Sequence, residues 1–515
     1  MLNLATLLED SARRYPTKDA FIFMDTHVTF AQVNGAANQI AHGLKAIGIQ
    51  EGDKVALSCL NLPYFPMVYF GILKAGATVV PLSVLLKQDE IAYHLEDSEA
   101  KAYFCFEGTP ELPMGQMGYE GFSRVDSCKH FFVITAKPDA TTPIEDTRTL
   151  GSLMAGQSPV GATAPTDAES IAAIVYTSGT TGRPKGAQLT HSNLMFNAIL
   201  SSDITSANSD DTQLIVLPLF HIFAMTVLMN AGLYRGTTSV LLPRFDGPTV
   251  LGLMQKHKVS IFAGVPTMYW GLLHTDTSGF DIEGIAKTLH TSVSGGASLP
   301  LDVLNGFEEK FNVEILEGYG MSEGAPVVTF NHKGKGRKPG SIGTPVWGVE
   351  VKVVDENQKD VPVGEKGQLI YRGHNVMKGY YNKPEATAET ILDGWLQSGD
   401  VATKDEDGFF YIVDRTKDMI IRGGLNVYPR EVEEAMMTHE DVSLVAVIGV
   451  PDEKYGEEIK AFVVLKEGAS LSNEELISYT KSKIADYKYP RSIEFLEALP
   501  MSATGKILKK ELRKS

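Results

Sequence analysis

The stretch YTSGTTGRPKG, Tyr176 to Gly186, concentrates residues that can bind an anion. Gly179, Gly182 and Gly186 let backbone N–H groups approach a negative group with no Cβ in the way. Thr177, Ser178, Thr180 and Thr181 add hydroxyl donors, and Lys185 adds a positive charge. The best-known phosphate loop, Gly-x-x-x-x-Gly-Lys-Ser/Thr, is not matched. Counting from Gly179, Pro184 takes the place of the second glycine, and Gly186 follows Lys185 where a hydroxyl residue is required. A polar hairpin loop draws on the same residue types, so composition alone leaves both readings open.

The elements that must carry this loop are legible as alternating apolar runs. Residues 171–175 form a short apolar run directly before it and read as a strand. Residues 54–60 and 77–83 read as buried strands, with a helix between them that ends at Gly76. Residues 211–220, 237–245 and 259–266 repeat the theme, which implies a layered α/β architecture with largely parallel sheets. Residues 137 to 167 read as a long surface connection. From about residue 340 short alternating strands with turns at DENQ and DEDG indicate a β-rich region. After Arg415 a strand, a double-glycine turn and a helix lead into a compact α+β unit of about 100 residues, with the boundary at Arg415–Lys417.

At 515 residues the chain is too long for one core. A formal charge of −16 argues against nucleic acid as a main partner, because phosphate backbones are held by basic surfaces. Cys59, Cys105 and Cys128 are odd in number and fit no disulfide or CxxC pattern, which points to a reducing compartment. The N-terminal residues carry Glu9 and Asp10 and no basic region, unlike a signal peptide. The most apolar long stretch, 64 to 86, is interrupted by Gly71, Lys74, Gly76 and Pro81, so no transmembrane segment is expected. The reading is a cytoplasmic protein; weak membrane contact stays open, and no oligomeric state follows.

YTSGTTGRPKG resembles the signature of the adenylate-forming (AMP-binding) superfamily, which holds acyl-CoA synthetases, firefly-type luciferases and peptide-synthetase adenylation domains. Further motifs similar to that family follow in order: LPLFHIFAM (217–225), SGGASLP (294–300), EGYGMSE (317–323), GWLQSGD (394–400), VDRTKDMIIRGGLNVYPREVE (413–433) and PMSATGK (500–506). The resemblance implies an α/β fold: an N-terminal AMP-binding domain over 1–416, with its β-rich subdomain at about 340–416, and a small mobile α+β C-terminal domain over 417–515 hinged near Lys417. It implies a reaction in which a carboxylate attacks the α-phosphorus of ATP and expels pyrophosphate. Two anions must meet, so fixed cations and donors are needed around the phosphates.

By that resemblance Thr177 and Glu323 place Mg²⁺, while Ser178, Gly179, Thr180, Thr181, Gly182 and Lys185 hold the ATP phosphates. Gly295, Gly296 and Ala297, with Glu317, Gly318, Tyr319, Gly320, Met321 and Ser322, form the adenine side, where Tyr319 can stack. Asp400 takes the ribose hydroxyls and Arg415 reaches the ribose and phosphate. Lys506 touches carboxylate and α-phosphate during adenylation. Gly423 and Gly424 line a tunnel for the pantetheine of coenzyme A, although glycines fill a plain hairpin turn equally well.

His221 stands where amino-acid-activating members carry Asp, which weighs against amino acids, and the resemblance makes it a gate to the carboxylate pocket. Gly320 stands where acetate enzymes carry a tryptophan, and the missing indole is expected to leave a deep apolar slot. Phe223, Met225, Val265, Met268 and Tyr269 are candidate lining residues; each also suits an ordinary core. No carrier-protein serine motif follows, so free coenzyme A is the simplest acceptor. The chain is most similar to bacterial medium- and long-chain fatty acid–CoA ligases. Aromatic acid–CoA ligases of the 4-coumarate or benzoate type are the alternative, as is an enzyme that loads a separate carrier protein.

Overall fold

The computed structural model describes the chain except residues 1, 138–139, 178–182, 334–335 and 514–515. The chain divides into two compact units. The first comprises 1–337, 345–349 and 372–394; the second comprises 338–344, 350–371 and 395–515.

Two sheets build the first unit. One runs in the order Val327–Phe330, Ile315–Gly320, Thr291–Ser294, Ile261–Gly264, Thr212–Ile215, Thr238–Leu241, Asp19–Phe23, Thr26–Thr29. Six consecutive strands, from Ile315–Gly320 to Asp19–Phe23, pair in parallel, with Gly264 opposite Ser294 and Ser294 opposite Glu317. The other runs Gly379–Tyr380, Lys185–Thr190, Ile171–Thr177, Thr78–Pro81, Lys54–Ser58, Ala100–Phe106, His130–Ile134, Arg148–Thr149. The near-continuous burial of strands such as Thr78–Pro81 reflects helices on both faces of a parallel sheet. The expected helix runs Tyr64–Ala75 and stops where Gly76 turns left-handed at φ +86°, a conformation that costs glycine nothing.

The long connection expected over 137–167 carries two short elements: Arg148–Thr149 adds a strand to the sheet and Leu150–Met154 is a short helix. Leu150 and Leu153 are buried, and Leu153 lies where a Cβ on Gly43 would stand at 2.7 Å. A one-turn helix offers too few apolar positions to show a period in sequence.

A single buried amide ties the two sheets together. Asn61, in the turn after Lys54–Ser58, donates to the carbonyls of Ile215, Leu217 and Leu242 at 3.3, 3.0 and 3.1 Å. Its Oδ1 accepts from Leu219 N–H at 2.9 Å. The segment that leads to His221 is thereby fixed by one side chain with both ends of its amide in use.

The second unit contains one antiparallel sheet and one mixed sheet, in which Ser492–Phe495 runs parallel to Gly456–Leu465. Gly367–Gly373, Trp395–Lys404 and Phe410–Arg415 form the first, with Gln358 and Gly408 in left-handed turns as the DENQ and DEDG motifs suggest. The other centres on Val442–Asp452 paired with Gly456–Leu465, flanked by Ile420–Arg422, Leu425–Val427 and Ser492–Phe495. Alternation divides its long strand: Val445 and Val447 pack with Val432, Met436 and Leu476 of the helices Pro429–Met437 and Asn473–Lys483. Ala446 and Ile448 face the other way, onto Leu499 and Leu512.

Replacing Asn61 by Ala strands the buried Leu219 N–H and takes a donor from three carbonyls, of which Ile215 keeps a second donor in Leu242 N at 3.0 Å; Asn61→Asp loses the donors while keeping the volume. Each is expected to lower unfolding stability by about 2–3 kcal/mol. Urea unfolding followed by circular dichroism measures it; wild-type midpoints for both variants would show that the clamp does not hold the sheets.

Candidate functional site

Ser178, Gly179, Thr180, Thr181 and Gly182 lie outside the described residues, and the two strands on either side of them form the stems of the site. The strand Ile171–Thr177 returns as Lys185–Thr190 with Thr177 opposite Lys185, and Thr177 Oγ1 is 3.5 Å from the Lys185 carbonyl. Helix Gln88–Asp97 braces both stems. Tyr176 Oη donates to Asp97 Oδ2 at 2.8 Å, and Tyr93 Oη donates to the Pro184 carbonyl at 2.7 Å. Lys383 Nζ holds the other oxygen of Asp97 at 2.6 Å. Burial, then the Asp97 charge, pushes the Tyr176 phenol upward, so it stays a donor.

Gly186 was expected to bare backbone for an anion. It sits instead inside the returning strand opposite Tyr176, and a Cβ there would meet Ile174 Cγ2 at 2.5 Å. Packing explains this glycine.

Glu323 lies in the one-turn helix Ser322–Gly324, which packs against both loop stems. It is only 6% exposed, and its Oε1 accepts a hydrogen bond from Tyr380 Oη at 2.7 Å. Lys185 Nζ stands 4.2 Å from the centroid of the same Tyr380 ring. Burial, then the Glu323 charge, raises the Tyr380 pKa, so the hydroxyl keeps its proton.

The proposed adenine side is brought together by the sheet. Gly295, Gly296 and Ala297 leave the strand Thr291–Ser294 beside the end of Ile315–Gly320, and Gly296 has φ +84°. Glu317 is a brace: its carbonyl accepts from Asn331 N and Nδ2 at 3.0 and 3.1 Å, and its Oε1 from Leu299 N at 3.4 Å. A Cβ on Gly318 would strike the Phe330 ring at 2.3 Å. Tyr319, Met321 and Ser322 are half-buried.

Gly320 is closely enclosed by backbone. A Cβ there would stand 2.0 Å from the Pro326 carbonyl oxygen, so backbone occupies the space a side chain would enter. Tyr269 is a core residue, fully buried with Oη bonded to the Val293 carbonyl at 2.7 Å. Phe223 is half-buried, its Cε1 3.2 Å from where a Gly295 Cβ would be. His221 precedes the π-helix Phe223–Asn230, and its Nδ1 accepts from Phe223 N–H at 3.3 Å, which puts the ring proton on Nε2.

In the second unit three of the expected residues gather. Asp400, 7% exposed, lies opposite Arg415 in register, with Arg415 Nε 3.5 Å from Asp400 Oδ1. Lys506 is presented by a tight turn in which Gly505 has φ +74°, Lys506 N donates to Ser502 Oγ at 3.1 Å, and Ser502 N donates back to the Lys506 carbonyl at 2.8 Å. Burial first, and then the Arg415 charge, lowers the Lys506 pKa to about 8, while Asp400 pulls the other way. Gly423 and Gly424, at φ +57° and +82°, close the hairpin between Ile420–Arg422 and Leu425–Val427. A Cβ on Gly423 would meet the Tyr455 ring at 3.2 Å, whereas one on Gly424 would meet nothing within 4 Å.

The match to known proteins is as complete as the geometry suggests. The AMP-binding enzyme model covers residues 8–381, and the AMP-binding enzyme C-terminal domain model covers 431–506. The chain belongs to the AMP-binding enzyme family. Similar relatives in this family span its whole length. A long-chain-fatty-acid–CoA ligase of Bacillus subtilis is 38% identical over 99% of this chain and 94% of its own. A feruloyl-CoA synthase of an Amycolatopsis species is 37% identical over 98% and 97%. Among solved structures, an anthranilate CoA ligase in complex with anthranoyl-AMP superposes with a TM-score of 0.91 at 31% identity, covering 99% of this chain and 96% of that one. These matches support the expected α/β class with a large N-terminal and a smaller C-terminal part.

Asn61, Asp97 and Tyr380 escaped the sequence reading.

Because the folded-state pKa of Lys506 falls below 10.5, the charged lysine costs stability below about pH 8, and the cost fades as pH climbs toward 10.5. Competitive acetylation of Lys506 against pH, read by mass spectrometry, is expected to show a midpoint near 8. Arg415→Gln moves it up and Asp400→Asn moves it down. A midpoint near 10.5 in all three proteins would remove the electrostatic assignment.

Proposed function

We propose that this chain joins medium- or long-chain fatty acids to coenzyme A at the expense of ATP, releasing AMP and pyrophosphate. Membership of the family fixes the broader class, an AMP-forming acyl-CoA synthetase. The observation that carries the proposal is the full-length similarity to a long-chain-fatty-acid–CoA ligase, on a chain that retains Glu323, Asp400, Arg415 and Lys506. An aromatic acid is the second reading, favoured by the feruloyl and anthranilate enzymes at nearly the same similarity.

In the first half-reaction the acid's carboxylate oxygen attacks the α-phosphorus, the bond from that phosphorus to the bridging oxygen breaks, and pyrophosphate leaves with the electron pair. Lys185 and Thr177 hold the phosphates at the loop stems. His221 offers Nε2–H at the acid's entrance. Asp400 takes the ribose hydroxyls, Arg415 the ribose and phosphate, and the ammonium of Lys506 spans the carboxylate and the α-phosphate. Gly295–Ala297 and Glu317–Ser322 admit the flat base.

Thr177 and Glu323 suit Mg²⁺. They supply a hydroxyl and a buried carboxylate from neighbouring elements, and this hard cation commonly binds one or two carboxylates plus substrate phosphates. Bound there, Mg²⁺ supplies charge neutralisation for the leaving group.

In the second half-reaction the thiol of coenzyme A attacks the mixed anhydride, a thioester bond forms and AMP leaves. Gly423 and Gly424 line the path of the pantetheine arm, and a hinge at Lys417 divides residues 1–416 from 417–515 so that the two half-reactions use different faces of the smaller domain. Free coenzyme A is the acceptor. We place the enzyme in the cytoplasm, on three buried free cysteines; among the described residues no helix is long and apolar enough to cross a membrane.

AMP formation across C2 to C18 fatty acids, benzoate and 4-coumarate decides the acid, and a coenzyme-A-dependent peak at medium or long chains is expected. A peak on the aromatic acids overturns the fatty-acid assignment, and turnover that requires a carrier protein overturns free coenzyme A. Lys506→Ala is expected to cut adenylation by about 10²–10³ while sparing thioester formation from supplied acyl-AMP. Loss of both half-reactions in a folded variant would show that Lys506 is not confined to the first. Gly424→Trp should do the reverse, and unaffected thioester formation would sink the tunnel.

A further inference from the structure

We infer that Tyr380 is a positioning residue that couples the metal carboxylate to the phosphate-loop lysine. It does so by hydrogen-bonding Glu323 through its hydroxyl and seating the Lys185 ammonium on its ring. The inference rests on the roles proposed above for Glu323 and Lys185.

The geometry is unusually constrained for a tyrosine in a two-residue strand. Tyr380 pairs with Ala187 and Gly379 with Gln188, on the edge of the strand that returns from the phosphate loop. Lys378 N donates to the Gln188 carbonyl at 2.9 Å and Tyr381 N to the Gly186 carbonyl at 2.8 Å, so the backbone is fixed on both sides. Tyr380 N donates to Thr387 Oγ1 at 2.9 Å. Upstream, Asn193 Nδ2 holds the carbonyls of His374 and Val376 at 2.6 and 3.2 Å, and Met377 N donates to the Glu323 carbonyl at 2.9 Å. The segment is pinned directly to the residue whose side chain Tyr380 contacts.

The consequences are opposite for the two ends of the ring system. At the hydroxyl, a donor fixed on Oε1 at 2.7 Å orients a carboxylate that is 6% exposed and leaves Oε2 as the oxygen to face a cation. At the ring face, the π-cloud attracts an ammonium 4.2 Å from its centroid and holds Lys185 at the loop stem without supplying a competing anion. A carboxylate partner would do the same for Lys185 but would repel the incoming phosphates. An aromatic ring restrains the lysine and leaves its charge available.

The two contacts separate by substitution. Tyr380→Phe keeps the ring and removes the donor; Tyr380→Leu removes both. Calorimetric ATP binding with no acid present, in EDTA and across a Mg²⁺ series, reads each contact without turnover. For Tyr380→Phe, ATP affinity in EDTA is expected to stay within about twofold of wild type, and the Mg²⁺ needed for half of the affinity gain to rise about tenfold. For Tyr380→Leu, affinity in EDTA falls about two- to fivefold as well. Tyr381→Phe, which loses the hydroxyl's contacts to Glu99 and Lys54, serves as a control and should bind as wild type. A Tyr380→Phe protein with wild-type Mg²⁺ dependence, or one weakened equally with and without Mg²⁺, overturns the coupling. Wild-type protein whose ATP binding ignores Mg²⁺ overturns the metal assignment itself.

Discussion

Three parallel strand ends in register organise the first unit. Ile261–Gly264, Thr291–Ser294 and Ile315–Gly320 pair so that Gly264, Ser294 and Glu317 stand side by side. The chain therefore leaves the sheet at one edge in three consecutive loops. One begins at Val265, one supplies Gly295–Ala297, and one continues to Glu323. Ligands of open α/β sheets bind beyond the carboxyl ends of the strands, and here that rule becomes a statement about register. A slip of one residue in either pairing would turn every side chain of the strand to its other face and dismantle the edge.

Holding polar groups at such an edge raises a second difficulty, because they sit where water is scarce. The structure answers with amides and phenols. Asn61 fixes the approach to His221, Tyr176 and Tyr93 brace the loop stems through Asp97 and Pro184, and Asn331 closes on the Glu317 carbonyl. A neutral donor orients a carboxylate or a carbonyl without bringing a counter-charge that would compete with a metal or a phosphate. Tyr380 on Glu323 is one instance of the pattern.

Much of this was legible in sequence, but the glycines show where reading stops. Gly76, Gly423 and Gly424 announce turns, and each has positive φ. Gly186, Gly318 and Gly320 look alike in the motifs yet are glycine because Ile174, Phe330 and the Pro326 carbonyl already occupy the space of a side chain. Composition cannot separate a glycine that bends from one that makes room, since the neighbour is distant in sequence. Tyr380 was invisible for the same reason, being 57 residues from Glu323. The α/β alternation was plain because periodicity is local. The helix Leu150–Met154 was not, because it is shorter than two turns.

Under the proposed mechanism Lys506 poses the remaining physical problem, that of a cation called on in only one of two half-reactions. A lysine with a pKa near 8 carries its charge at a cost set by burial and by Arg415. Two anions, a carboxylate and an α-phosphate, brought within a few ångströms stabilise the ammonium and raise that pKa, so the cost is offset only while substrate is present. An arginine would stay charged throughout and would hold its partner anion after the chemistry was done. The turn that presents Lys506 is closed by its own backbone and Ser502, so it keeps its shape whichever anions it faces. Differential stabilisation of this kind accelerates a step rather than merely binding its reactants, because it is strongest where negative charge is densest.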